Sequence, residues 1–258
     1  MIDLSIVIPV YKDPYVYPTM RGILEKFETN IEIIPVFDGC EPTLPVPDTR
    51  VKPIFLEKQV GMRGAINAGV AKAKGKYLMR TDAHCVFGQG FDRIILETIE
   101  DNWIVDAKRY FLDPIKWEVM DKEPIEMERL IISERHNKFA AVPWRERDSA
   151  TPIKPKMAMQ GSVWVMPHKW WDDVIGELQV EGYGTLYQDS TEMTMKTWKA
   201  GGKLMLNSNT WYAHKERNFS RTHDYPNKLS RASWDYALDQ WKDYYEEYLC
   251  PLFGITRP

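Results

Sequence analysis

The amino-acid sequence predicts an α/β fold in which helices flank a mostly parallel sheet. Residues 4–11 and 31–37 are hydrophobic at almost every position and rich in β-branched side chains, which is typical of strands buried on both faces. Hydrophobic runs and helical patterns then alternate as far as Met79. This alternation is the pattern of a parallel sheet with helices on both of its faces.

Local signals mark the ends of these first elements. Proline in Lys12-Asp13-Pro14 breaks the first strand, and Asp38-Gly39 closes the second. The other elements predicted in this part are a helix at residues 19–27, a strand at 51–56, an alanine-rich helix at 61–74 and a strand at 76–79.

The second part of the chain is less regular. It is predicted to contain a helix at 91–100, an amphipathic run at 125–139, a mobile polar loop at 145–156, a strand at 161–166, a helix at 188–200 and two short strands, 204–206 and 211–213, around a turn at 207–209. Residues 229–249 predict an amphipathic C-terminal helix. We therefore expect one domain at residues 1–228 and a helical extension at 229–258 packed on it.

Composition narrows the class of protein. The chain has 258 residues, of which 44% are hydrophobic and 28% charged, as in ordinary globular proteins. Its net charge of −3 excludes a general polycation for nucleic acid or anionic membrane. Three scattered cysteines form no CxxC motif, and neither a signal peptide nor a long apolar run is evident. These features predict a cytoplasmic protein with no membrane partner.

A carboxylate and an imidazole follow the strand that ends at Met79. Asp82 and His84 are two residues apart, so on an extended segment they point to the same face. A mixed oxygen and nitrogen pair suits Mn²⁺ or another first-row divalent ion better than Ca²⁺, although an Asp-x-His at a strand end is also common turn chemistry. In proteins with such sheets, substrates and cofactors bind beyond the carboxyl ends of the strands. Asp13 and Asp38 are also predicted to lie at this edge of the sheet.

The order of these motifs resembles that of the family-2 glycosyltransferases, whose fold is the Rossmann-like GT-A fold. The metal motif is similar to that of the polypeptide N-acetylgalactosaminyltransferases. The resemblance covers residues 4–214 and is carried by the first strand, IPVFDGC at 34–40, GMRGAINAG at 61–69, AKGKY at 73–77, Asp82-Ala83-His84, Gly161-Ser162, the acidic helix from Glu192 to Gly201-Gly202, and Ala213-His214.

The resemblance implies a donor site and a metal. It implies that Mn²⁺ or Mg²⁺ is held by Asp82, His84 and His214, and that the donor is a UDP-sugar. The residues expected to contact the nucleotide-sugar are Pro9, Tyr11, Asp13, Asp38, Arg63, Asp82, Lys215 and Arg217. The resemblance implies the contact of Arg63, the strand-end positions favour Asp13 and Asp38, and Lys215 and Arg217 belong to a basic segment that is expected to fold over the diphosphate.

The resemblance also implies that the acidic helix lies beside the acceptor hydroxyl. Its two candidate catalytic residues are Asp189 and Glu192. Alignment on Glu192 and Trp198 puts Ser190 where inverting relatives have their base, and a shift of one residue makes Asp189 that base. The first alignment favours retention of configuration, and both alternatives stay open.

The acceptor is predicted less sharply than the donor. Compact relatives from bacteria and phages suggest a hydroxymethylated pyrimidine in DNA, with a saccharide or protein hydroxyl as the alternative, inside a bacterial or phage-infected cell. Two basic stretches, 145–156 and 214–223, are candidates for contacting a phosphate backbone. A nucleotidyltransferase of related fold and a non-catalytic sugar- or nucleic-acid-binding protein are the other hypotheses. The protein is expected to be a monomer or dimer.

Overall fold

The computed structural model describes residues 1–42, 48–147, 150–216 and 227–256. Its strands are β1 (Leu4–Val10), β2 (Ile31–Asp38), β3 (Ile54–Leu56), β4 (Tyr77–Thr81), β5 (Cys85–Phe87), β6 (Trp103–Asp113), β7 (Glu118–Val119), β8 (Glu128–Ser133), β9 (Lys138–Pro143), β10 (Ile153–Pro155), β11 (Val163–Pro167) and β12 (Lys203–Lys215).

The helices alternate with these strands in the first part of the chain and cluster toward its end. They are α1 (Val16–Lys26), α2 (Gly61–Val70), α3 (Phe91–Leu96), α4 (His168–Trp170, continued by a π-helical turn at Trp171–Ile175), α5 (Asp189–Lys199), α6 (Asn227–Tyr244, continued by a π-helical turn at Tyr245–Leu249) and α7 (Cys250–Leu252). None of the helices in these described ranges has the length and hydrophobicity needed to cross a bilayer.

The central sheet confirms the predicted α/β class. Its path is β10-β12-β6-β11-β4-β1-β2-β3, with β5 paired to β12 and β7 to β6. The four strands β4-β1-β2-β3 are parallel, as the sequence predicts. Beyond them the sheet is mixed, because β11 lies antiparallel between β4 and β6.

The core lies on both faces of this sheet. Ile6 and Ile8 of β1 pack in the cluster that contains side chains of α1 and α3, whereas Val7 packs in the cluster with α2 and α5. This alternation explains why β1 is hydrophobic at successive positions. A third cluster joins α6 to β8, β9 and α5, and Leu238 and Trp241 of the predicted amphipathic stripe pack against it.

Two parts of the second half differ from the prediction. The amphipathic run at 125–139 contributes to a hairpin of β8 and β9. The two short strands predicted at 204–206 and 211–213 belong to one strand, β12, whose pairing with β6 is interrupted only between Asn207 and Trp211. The predicted turn is therefore an irregularity inside a long strand.

Two lysines of the basic stretch at 145–156, which the sequence predicts to be a mobile surface loop, are buried. Lys156 is 2% exposed, and its Nζ lies 2.7 Å from Asp106 and 3.1 Å from Glu128. Lys154 is also buried and pairs with Glu126 at 3.3 Å. The prediction that these two lysines contact a phosphate backbone is wrong, because both ammonium groups are occupied by carboxylates inside the protein.

We predict that Lys156→Met lowers the free energy of unfolding by about 3–5 kcal/mol, because Asp106 and Glu128 lose a buried cation. Urea denaturation would measure this change. Arg145→Met is the matched control from the same stretch, since Arg145 pairs with Glu123 in solvent, and it should leave the free energy nearly unchanged. Equal effects of the two substitutions would contradict the structural role given to Lys156.

Candidate functional site

Three predicted ligands meet at the carboxyl end of β4. Asp82 directly follows β4, His84 directly precedes β5, and His214 lies near the end of β12. Because β12 pairs with β5, His214 is in register with Cys85 and is carried to the Asp82 carboxylate. The ligand atoms of Asp82, His84 and His214 all lie within 4.8 Å of one another, and we call these three residues the metal cluster.

The spacing of the metal cluster fits one ion. His214 Nε2 is 2.9 Å and His84 Nε2 is 3.9 Å from Asp82 Oδ2. Two ligand atoms that each lie about 2.0–2.2 Å from a common ion are at most about 4.4 Å apart, so both contacts are compatible with shared coordination. Asp82 is 24% exposed, which leaves one side of the cluster open to a substrate.

Electrostatics keep the metal cluster in its ligating form. Burial raises the pKa of Asp82, but Arg80, His214 and His84 outweigh this effect and hold it far below its usual range. Burial lowers the pKa of His214 to about 4, and the hydrogen bond that His214 donates to Asp82 opposes this shift. At neutral pH the cluster therefore offers a carboxylate and a neutral His214 imidazole, the forms that bind metal ions.

The segment between the two strand ends is held by α1. Thr19 is fully buried, its hydroxyl donates to the carbonyl of Ala83 at 2.9 Å, and it accepts from the backbone N–H of Cys85 at 3.0 Å. Burial raises the pKa of the Cys85 thiol well above its usual range, so this neighbour of the cluster stays protonated. Thr19 thus fixes the backbone on both sides of His84.

Asp13 contacts the metal cluster directly. Its Oδ2 lies 2.7 Å from His84 Nδ1, and its Oδ1 accepts the backbone N–H of Tyr15 at 2.9 Å. Burial raises the pKa of Asp13, but the hydrogen bond and charge of His84 bring it below its usual value. Lys215, which follows His214, lies near Asp13 with its ammonium 5.4 Å from the Tyr15 ring centre.

The other predicted donor contacts are divided between exposed and buried positions. Pro9 and Tyr11 are partly exposed at the end of β1. Asp38 is buried, and its carboxylate accepts the backbone N–H groups of Val60 at 2.6 Å and Gly61 at 2.8 Å, where α2 begins. Burial raises the pKa of Asp38. The Asp38 side chain therefore anchors α2 in this structure. Arg217 lies outside the described residues.

Arg63 and Glu192 form a buried ion pair with each other. Both side chains are at most 1% exposed. Arg63 also donates to the carbonyls of Gln179 at 2.8 Å and Tyr187 at 3.0 Å, and Glu192 pairs with Lys196 at 2.7 Å. The structure does not bring Arg63 to an accessible diphosphate site or Glu192 to an accessible acceptor site. Instead, the pair joins α2 to α5.

Asp189, the other candidate on the acceptor side, has a different environment. It is the first residue of α5, where the positive end of the helix stabilises a carboxylate. A Cβ on Gly161 would lie 2.8 Å from its Oδ2, so glycine leaves room for the carboxylate. This oxygen is buried and has no hydrogen-bond partner among the described residues. Gly161 precedes Ser162, whose carbonyl accepts the Asp82 backbone N–H at 2.9 Å.

Comparisons with known proteins identify the family of the chain. The profile of glycosyl transferase family 2 matches residues 5–141, more than half of the chain. The chain belongs to this family. No curated protein sequence gives a significant match.

A solved structure shows how far the likeness extends. The chain is similar to the crystal structure of GalNAc-T7 with UDP, GalNAc and Mn²⁺, with a TM-score of 0.79 and 18% sequence identity. The match covers 97% of this chain and 50% of that chain, so this protein spans about half the length of that relative. The predicted GT-A fold is confirmed.

Two residues of the site were absent from the sequence prediction. The Arg80 guanidinium lies 2.6 Å from Asp82 Oδ1, and Thr19 holds the segment around Ala83. Arg80 carries a signal in the sequence, because it lies two residues before Asp82 in an extended segment and so points to the same side. Thr19 carries none, since its contact spans 64 residues of sequence.

We predict that Thr19→Val lowers the free energy of unfolding by about 1–3 kcal/mol, because the Ala83 carbonyl and the Cys85 N–H lose their buried partner while the side-chain shape is kept. Thermal and urea denaturation would measure the change. Thr151→Val, at an exposed position, is the control. Equal stability of the Thr19 variant and the wild type would show that neither hydrogen bond contributes.

Proposed function

We propose that this protein is a metal-dependent glycosyltransferase that moves a sugar from a UDP-sugar to a hydroxyl acceptor. The observation that carries the proposal is the metal cluster at the carboxyl ends of the strands of a family-2 chain. The relative that was crystallised with UDP, GalNAc and Mn²⁺ supports the nucleotide and the ion proposed here.

The part of the proposed active site that binds the donor would lie at the carboxyl ends of the strands. Asp82, His84 and His214 would hold Mn²⁺ or Mg²⁺, which as a Lewis acid stabilises the charge of a leaving diphosphate. Arg80 holds the Asp82 carboxylate in place, and Lys215 adds positive charge near Asp13. Pro9 and Tyr11 are proposed to face the nucleoside, since they lie partly exposed at the end of β1.

The acceptor half would use Asp189. Its Oδ2 is buried beside Gly161 and lacks a hydrogen-bond partner among the described residues, so it would accept the hydrogen of an acceptor hydroxyl that enters there, either to orient it or to remove its proton. Glu192 would contribute indirectly, because its ion pair with Arg63 fixes the helix that begins with Asp189. The stereochemical outcome of transfer stays a prediction that depends on which of these roles Asp189 has.

A group of aromatic side chains that includes Tyr187, two residues before the start of α5, supports a ring-shaped acceptor. Tyr187 is exposed, and its ring centre lies 6.4 Å from that of Trp234 on α6. His136, also exposed, lies 6.2 Å from Trp234, and Lys138 places its ammonium 4.2 Å from the same ring. Such a surface stacks sugars or bases. We call Tyr187, Trp234, His136 and Lys138 the aromatic surface.

The identity of the acceptor stays a prediction. A hydroxymethylated pyrimidine in DNA remains the first acceptor to test, with saccharides and protein hydroxyls next. Burial of Lys154 and Lys156 removes part of the support for a DNA backbone contact, whereas the aromatic surface suits a base and a sugar equally. The predicted cytoplasmic location and the predicted division at residue 228 also stay predictions.

We expect slow release of UDP from one UDP-sugar when the protein is incubated with Mn²⁺ and a panel of UDP- and GDP-sugars. A chelator should abolish the release, and so should His84→Ala or His214→Ala, because each removes one ligand of the metal cluster. Nucleotide release is the readout, and circular dichroism checks that the variants fold. No release and no thermal shift with UDP and Mn²⁺ would instead favour a non-catalytic binding protein.

We further predict that Trp234→Ala raises the KM for the acceptor by the equivalent of about 1–3 kcal/mol, the contribution of one stacked ring, without changing the KM for the donor. The assay would use whichever of hydroxymethylated DNA, saccharide or Ser/Thr peptide accepts sugar. Tyr248→Ala removes an aromatic ring that is 62% exposed elsewhere and is the matched control. Equal acceptor KM values for the two variants would contradict the role of the aromatic surface.

A further inference from the structure

His84 presents a different nitrogen to each of two carboxylates. Its Nε2 lies 3.9 Å from Asp82 Oδ2, on the side of the other two residues of the metal cluster, and its Nδ1 lies 2.7 Å from Asp13 Oδ2. A histidine that binds a metal through one nitrogen needs its lone pair there, so its proton must sit on the other nitrogen. A carboxylate at Nδ1 accepts that proton in a hydrogen bond and so favours this tautomer.

Asp13 is itself fixed in the position that this role requires. Oδ1 accepts the Tyr15 N–H at 2.9 Å, which leaves Oδ2 directed to His84. Only 10% of the Asp13 side chain is exposed, so water competes little for the carboxylate. The preceding residue, Lys12, has a φ of 50°, a left-handed conformation that is uncommon outside glycine. Backbone strain of this kind persists where the surrounding structure enforces it.

We propose that Asp13 is a positioning residue of the metal cluster, which holds the His84 ring in the orientation and tautomer that present Nε2 to the ion. This assigns Asp13 a role in metal binding in place of the nucleoside contact expected from the sequence. The inference rests on the proposed function insofar as the cluster binds Mn²⁺. Through this role, Asp13 would connect the loop after β1, and the start of α1 that follows the loop, to the metal ion.

The test compares Asp13→Asn and Asp13→Ala with the wild type in Mn²⁺ titrations, in which electron paramagnetic resonance reports the free ion. We expect Asp13→Ala to bind Mn²⁺ about 10–100-fold more weakly, as is usual when such an outer partner is removed. Asp13→Asn keeps an oxygen that can accept a hydrogen bond from His84 Nδ1–H, but it lacks the negative charge. The Mn²⁺ affinity of this variant should therefore lie between that of the wild type and that of Asp13→Ala.

A second readout needs no metal. In ¹⁵N-histidine NMR spectra of the metal-free protein, the wild type should show His84 protonated on Nδ1, and Asp13→Ala should show a mixture of tautomers. Asp92→Asn is the matched control: Asp92 is a buried carboxylate that accepts the Glu28 and Thr29 N–H groups. It should lower stability without changing Mn²⁺ affinity or the His84 spectrum.

The outcomes separate this inference from the proposed function. Wild-type Mn²⁺ affinity and an unchanged His84 tautomer in Asp13→Ala would overturn the positioning role and leave the proposed function intact. If the wild type itself failed to bind Mn²⁺, the metal-dependent function and the positioning role would both fail. Weakened affinity in Asp92→Asn equal to that in Asp13→Ala would show a general loss of structure, which also overturns the inference.

Discussion

The candidate site depends on one carboxylate that has partners on both of its oxygens. Asp82 Oδ1 lies 2.6 Å from Arg80 and Oδ2 lies 2.9 Å from His214, which is 132 residues away in sequence. These contacts require β4 to end beside the end of β12, and the pairing of β12 with β5 and β6 provides this. The long strand β12 therefore determines the geometry of the site as much as the Asp-x-His motif does.

The parts that the sequence predicts well are those with local signals. Strands β1 and β2 are hydrophobic on both faces, and Asp82 and His84 share a face of one segment, so periodicity and spacing were sufficient for them. The buried charges were not predictable in this way. Lys156 looks like a surface residue in the sequence, because Asp106 and Glu128, which neutralise it, lie 50 and 28 residues away.

Buried charge also connects the two halves of the proposed active site. The ion pair of Arg63 and Glu192 joins α2, which begins at the Asp38 carboxylate, to α5, which begins with Asp189. Separating these helices would leave a charge buried without its partner, which costs several kcal/mol. The ion pair therefore holds α2 and α5 together between the proposed donor site and the proposed acceptor side, and this is the structural role of two residues that the sequence predicts to touch substrate.

The metal cluster contains no thiolate, and this has a consequence for which metal ion it binds. A thiolate beside two histidines would make a soft ligand set, which selects Zn²⁺ or Cu⁺. Cys85 packs in the hydrophobic core and is not a member of the metal cluster, whose ligands are one oxygen and two nitrogens. Such a ligand set binds Zn²⁺ more weakly than a site with a thiolate does. The concentration of available Mn²⁺ then contributes to which ion is bound.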